Sequence, residues 1–186
     1  LGLLLVGSFG GVEVGLVAIL DKALAGLVIA FLSLGSIVGG LFLGNRARSR
    51  WALTKFLLLL TVGYSLAWFN PQDPLWLCFS FFVAGLGVAP AFGVLGTIIA
   101  TNLKMSDTAE AYGWVGTGQL VGFSAGAAIA GIAIDTVSPE SSLLIAIVFA
   151  LGCLIVSVMA ISVTPALDRN QPETGAIDLL PDKTKD

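Results

Sequence analysis

Six apolar stretches, each long enough to cross a bilayer, fill the chain from residue 1 to residue 163, and only short polar connectors separate them. A hydrocarbon core of about 30 Å needs roughly 20 mostly apolar residues per helix. Strands of a membrane barrel would be shorter and would alternate apolar and polar residues. We therefore predict an all-α, polytopic membrane protein. The predicted spans are residues 1–20, 23–43, 51–69, 75–100, 111–134 and 143–163.

The composition excludes most other classes of protein. Charged residues make up 11% of the chain and the mean hydropathy is +0.97, whereas about a quarter of the residues in a soluble domain are charged. No block of basic residues predicts a nucleic-acid partner, so membrane lipid is the expected surrounding. The chain has no histidine, and Cys78 and Cys153 each lie inside an apolar span. The sequence therefore gives no reason to expect a metal site or a cofactor.

The first stretch is already apolar at Leu1, and no methionine or basic segment precedes it. A secretory signal peptide would begin with a positively charged region, so that interpretation is a poor one. We interpret the sequence as a fragment whose upstream part is missing.

Basic residues favour one orientation in the membrane. The connector after the second span holds Arg46, Arg48 and Arg50, and short connectors rich in Lys and Arg face the cytoplasm. Because connectors alternate between the two sides, both ends of the chain are expected in the cytoplasm. The same side then carries Lys55, Lys104 and Arg169, and the opposite side carries Asp21, Lys22, Asp73, Asp135 and Glu140.

Two regions follow from this pattern. Residues 1–168 are predicted to form one unit of six transmembrane helices. The chain turns polar after it, and such composition cannot bury enough apolar surface to fold. We predict a disordered cytoplasmic tail over residues 169–186.

Three stretches in this order resemble the C-terminal half of a major facilitator superfamily (MFS) transporter, in particular bacterial members. They read GSFGGVEVGLVAIL from residue 7, GLFLGNRARSR from residue 40 and TAEAYGWVGTGQLVGFSAGAAIAG from residue 108. The second is similar to the family's cytoplasmic motif, although Gly44 stands where the motif has an acid and one motif glycine is absent. This departure argues against a charge latch built on that acid.

The resemblance implies an architecture and a mechanism. Six helices would form two inverted three-helix repeats, and a partner half of six helices, absent here, would face them across a substrate site. The implied location is the bacterial plasma (inner) membrane. Arg46, Arg48 and Arg50 would act as a cytoplasmic gate as well as fixing the topology.

Glu13 is an acid well inside an apolar span. It precedes Asp21 by eight residues, which places it roughly 12 Å from the end of the span and close to the midplane. An ionisable side chain at that depth is costly unless it faces a cavity or a partner, so it is a functional candidate by default. Either Glu13 carries protons or contacts substrate, or it is a structural carboxyl bonded to a neighbouring helix.

Trp114, Thr117 and Gln119 bring polar atoms into the fifth span, which is otherwise small and apolar. Gln119 follows Glu110 by nine residues, which we expect to place it roughly 14 Å from the inner end, near mid-membrane. An amide both donates and accepts hydrogen bonds, so it suits a substrate cavity. The alternative is that these groups hold helices together.

Small residues and proline predict packing and bending. Gly118, Gly122 and Gly126 recur at every fourth position, so we expect them to line one face that packs closely on another helix. Pro90 and Gly93 predict a bend near the middle of the fourth helix. The bend would serve rocking between access states or be a static kink.

Three classes of function fit this sequence to different degrees. A secondary transporter of a small-molecule substrate, proton-coupled and with efflux as one direction, is favoured. An intramembrane enzyme is not, because a chain without histidine offers no base to Ser8 and no histidine ligand to a metal, while Glu13 has no second acid beside it. A non-transporting scaffold or assembly subunit would explain the glycines equally well. It would not explain Glu13.

Overall fold

The computed structural model describes residues 1–44, 49–102 and 105–162, and these form an all-α fold. Five of the helices are long and apolar enough to span a membrane, and the third, with 16 residues, is shorter. A short 3-10 turn follows the last helix. The helices are α1 (Gly2–Ile19), α2 (Lys22–Leu43), α3 (Ala52–Ala67), α4 (Pro74–Asn102), α5 (Met105–Thr136) and α6 (Ser141–Met159).

Local chemistry accounts for the start of α2. The side chain of Asp21 accepts hydrogen bonds from the backbone N–H groups of Ala23 and Leu24 at 2.9 and 3.0 Å, and so caps the start of α2. α5 begins at Met105, six residues before the predicted start of the fifth span. α4 runs unbroken through Pro90, so the predicted bend at that position stays a prediction.

The helix pairs repeat with a period of three helices. α1 packs mainly on α5 and α6, α2 on α4, and α3 on α4 and α6. If each helix is replaced by the one three places away, the α1–α5 pair becomes the α4–α2 pair, and the α3–α4 pair becomes the α6–α1 pair. Successive spans cross the membrane in opposite directions. Because three is an odd number, a helix and its equivalent three places later therefore run in opposite directions. The pairing therefore matches two inverted three-helix repeats.

The α1–α5 pair is held at close range by glycine. A Cβ atom added at Gly122 would collide with the carbonyl oxygen of Leu3, and one added at Gly126 would collide with that of Gly7. Such contacts let two backbones approach closely in a membrane. Gly118, by contrast, has no atom of another described segment within 4 Å of its Cβ position. The predicted packing face is thus confirmed at two of its three glycines.

The α2–α4 pair repeats this arrangement. Gly35 lies against the carbonyl oxygen of Phe82, and Gly39 lies against that of Leu86. In both pairs two glycines four residues apart meet two carbonyls four residues apart. The equivalence gives the inverted repeat an atomic basis, and the sequence analysis had not assigned Gly35 and Gly39 to it.

The two ends of the bundle differ in charge. Gln72 donates to the carboxylate of Glu140 at 3.2 Å, which joins the α3–α4 and α5–α6 connectors at one end. This acidic end, as we call it, carries Asp21, Lys22, Asp73, Asp135 and Glu140. Arg50 is exposed at the opposite end. Arg46, Arg48, Lys104, Arg169 and the predicted tail lie outside the described residues.

Candidate functional site

An open pocket of about 370 Å³ lies where α1, α2 and α4 meet. Its wall is mostly apolar and includes two serine hydroxyl groups. α1 contributes one aromatic ring, α4 one aliphatic side chain and α2 the remaining groups. The lining residues are Phe9, Leu32, Ser33, Ser36, Ile37 and Val88.

Two contacts define the chemistry of the pocket wall. The rings of Phe9 and Phe92 are 6.3 Å apart between centroids, which is the range of a favourable aromatic pair. The exposed Ser33 hydroxyl donates to the carbonyl oxygen of Ile29 at 3.0 Å. Because that hydroxyl has a single proton, the Ser33 oxygen is left to act as a hydrogen-bond acceptor.

Glu13 lies on the face of α1 that carries Phe9. Residues four apart stand one above the other on a helix, so Glu13 is one turn from the pocket. Gly11 and Gly15 both contact α6, and each is two residues from Glu13, or about 200° around the helix. Glu13 is exposed and points away from α6. We call the exposed side of the bundle on which the pocket opens the open face, and Phe9 and Glu13 both lie on it. The Glu13 carboxylate has no hydrogen bond or ion pair within the described residues.

The sequence predicts that Gln119 and Glu13 lie at a similar depth, and this prediction is wrong. The Gln119 side chain is 3.4 Å from the position that a Cβ at Gly2 would occupy. Glu13 is eleven residues further along α1, roughly 16 Å away along the axis. The prediction took Glu110 as the inner end of the helix, but α5 already begins at Met105, so the count from Glu110 does not give a depth.

Trp114 and Thr117 lie together on another face of α5. The Trp114 side chain is 71% exposed, and its indole N–H donates to Glu110 at 3.3 Å. The Thr117 hydroxyl is exposed and donates to the carbonyl oxygen of Gly113 at 2.9 Å. Gln119 is two residues beyond Thr117, or about 200° around the helix, and so faces α1 instead. None of the three lines the pocket.

The pocket residues were not predicted from the sequence. A usable signal was present, since Ser33 and Ser36 place two hydroxyls in an apolar span, as Thr117 does in α5. Pro90 and Gly93 lie on α4 near the pocket residue Val88: Pro90 is buried, and Gly93 is exposed with open space at its Cβ position.

Comparison with known proteins gives one match. The model of the family described as Major Facilitator Superfamily matches residues 2–184. No curated protein and no solved structure matches the chain. The family match covers all six helices and the pocket between α1, α2 and α4, and it agrees with the resemblance drawn from the three sequence stretches.

Proposed function

Because this chain belongs to the major facilitator superfamily, whose members are membrane transporters rather than enzymes, we propose that it moves a small solute by alternating access coupled to protons. The described helices form one six-helix half, and a second half would face it. The solute would lie between the two halves, as in transporters built from repeats. Both ends of the chain are proposed to be cytoplasmic in a bacterial plasma membrane.

The position of Glu13 carries this proposal. It lies roughly 12 Å from the end of its span by residue count, on the open face that also carries the pocket, and points away from α6. A carboxyl held at this depth needs water or a partner, which a cavity between two halves would supply. Such a group can bind a proton in one access state and release it in the other.

The other candidate residues take positions along the same route. The pocket would hold the body of the solute, while Trp114 and Thr117 would line the path toward the basic end. Gln119 faces α1 and would instead hold α1 and α5 together. Arg46, Arg48 and Arg50 would fix the orientation and border the cytoplasmic gate. Bending at Pro90 and Gly93 would accompany the change of access.

The test is proton movement driven by solute in liposomes that hold the full-length protein and an internal pH-sensitive dye. Neutral, anionic and cationic solutes are offered one at a time. The variant Glu13→Gln should lose solute-driven proton movement but keep solute exchange, because the amide preserves shape and hydrogen bonding but cannot titrate. Glu140→Gln is the matched control, since it removes a carboxylate that lies in a connector and should change neither activity.

Two results would contradict the proposal. Wild-type proton movement in the Glu13→Gln variant would exclude the coupling role of that residue. If no solute crosses the membrane through the wild-type protein and none drives proton movement, a scaffold or assembly role becomes the better explanation.

A further inference from the structure

We propose that the solute is an organic cation with an apolar body, and that it exchanges for the proton on Glu13. This inference rests on the proposed transport function and adds the charge of the substrate and the basis of its coupling. Three groups near the open pocket carry it: the Glu13 carboxylate, the Phe9 ring and the Ser33 oxygen.

Each of these groups favours positive charge. A carboxylate offsets the high cost of moving a cation out of water. The face of an aromatic ring attracts a cation through its quadrupole, and Phe9 lines the pocket one turn from Glu13. The Ser33 oxygen is available as an acceptor, because the hydroxyl already donates its proton to the carbonyl oxygen of Ile29. The apolar wall suits the body of such a solute.

The distribution of charge disfavours an anion. Within the described residues the basic side chains are Lys22, Arg50 and Lys55, all in or next to the first turns of helices. Glu13 is nearer to the acidic end than to the opposite end, and the acidic end carries four acids and one lysine. A cleft bordered by one sign of charge raises the local concentration of the opposite ion.

A single carboxylate also explains coupling without a further device. It binds a proton or a cation but not both, so each cation that enters must displace a proton. Other titratable groups lie on the elements around α1: the acids and the lysine are toward helix ends, and the rest are thiols and phenols. These groups are Asp21 in the α1–α2 connector, Lys22 at the start of α2, Cys78 on α4, Tyr64 on α3, Glu110, Tyr112 and Asp135 on α5, Glu140 before α6 and Cys153 in α6.

The experiment measures binding of tetraphenylphosphonium, a permanent cation, to the full-length protein in detergent. Triphenylphosphine oxide is the neutral probe of similar shape. We expect the cation to bind more tightly than the neutral probe and to release a proton into weakly buffered medium. Its affinity should decrease as the pH falls, approaching about tenfold per pH unit once the carboxyl is protonated. Glu13→Gln should abolish proton release and the pH dependence, whereas Glu13→Asp and Glu140→Gln should keep both.

Several results would overturn the inference: equal affinity for the neutral probe, absence of proton release, or unchanged proton release in a Glu13→Gln variant that melts like the wild type. The transport proposal fails separately. If tetraphenylphosphonium does not bind while another solute drives Glu13-dependent proton movement, the transport function stands and the substrate class is wrong. If the cation displaces a proton but no solute crosses the membrane, the site chemistry stands and the transport proposal is wrong.

Discussion

Gly126 of α5 lies against the carbonyl oxygen of Gly7 on α1, so closely that no Cβ atom fits between them. Lipid tails are as apolar as leucine, so helices in a membrane associate mainly through close packing rather than through the hydrophobic effect. The Gly126–Gly7 contact joins α5 to α1, the helix that carries Glu13. It therefore fixes where α1 presents Glu13.

The first prediction is that Gly126→Ala destabilises the fold, while Gly118→Ala does not. Overpacking a tight contact costs about 1–3 kcal/mol, whereas alanine at an open helical position gains up to about 1 kcal/mol. Gly118 is two turns away on α5, and its Cβ position is open. Thermal unfolding of the two variants in detergent should shift in opposite directions. Equal shifts would show that the close contact with α1 has no energetic weight.

The second prediction concerns the contact between α3 and α6. The Thr54 and Ser157 hydroxyls are buried and 2.9 Å apart. A double-mutant cycle with Thr54→Val and Ser157→Ala should give a coupling energy of about 0.6 kcal/mol, the average for such bonds in membranes. Thr61→Val is the control, because Thr61 bonds to its own helix at Leu57. Additive effects of Thr54→Val and Ser157→Ala would exclude the bond.

The fold was largely predictable because lipid imposes strict rules. Six apolar stretches became six helices, and the limits erred by a few residues where polar turns continue a helix, as at the start of α5. The expected common level of Gln119 and Glu13 was wrong because Glu110 is not the end of α5. The pocket was missed because its lining depends on how α1, α2 and α4 meet, and no spacing within one helix contains that information.

The third prediction tests the orientation. In a background with Cys78→Ala and Cys153→Ala, cysteines are introduced at Gln72 and Ser49, which are exposed at opposite ends. A membrane-impermeant thiol reagent added outside cells should label Gln72→Cys and leave Ser49→Cys unlabelled, because the arginine-rich connector is expected inside. The reverse labelling pattern would invert the topology.

The fourth prediction concerns Glu140, which lies in a connector outside the spans. Hydrogen bonds from its own backbone N–H, from Gln72 and from Ser138 lower the pKa of its carboxyl below the ordinary value of 4.5. A lowered pKa in the folded state contributes stability above the unfolded pKa, and this contribution is lost as the pH falls through the folded pKa. Gln72→Ala should raise the pKa of Glu140 part of the way back.

Carboxyl chemical shifts followed through a pH titration would measure this change. Asn70→Ala is the control, because Asn70 lies in the same connector but bonds to Asp73. If both variants leave the pKa of Glu140 at its wild-type value, the Gln72 contact does not stabilise the charged carboxylate.

The last prediction is that Glu13 faces water and not lipid. Gly15 contacts Ser142 and Gly11 contacts Ala146 across the α1–α6 pair. Glu13 is midway between the two glycines and Leu144 is midway between their two partners, so both residues lie at one depth.

The two residues face opposite ways at that depth. Leu144 is 41% exposed and two residues from both α6 contacts, so it points away from α1, as Glu13 points away from α6. In full-length protein without native cysteines, Glu13→Cys should react with a charged, water-soluble thiosulfonate, while Leu144→Cys should remain unreactive. Since depth is matched, a difference can only come from the side each residue faces. Equal protection of both cysteines would place Glu13 in lipid and remove the basis for a coupling site.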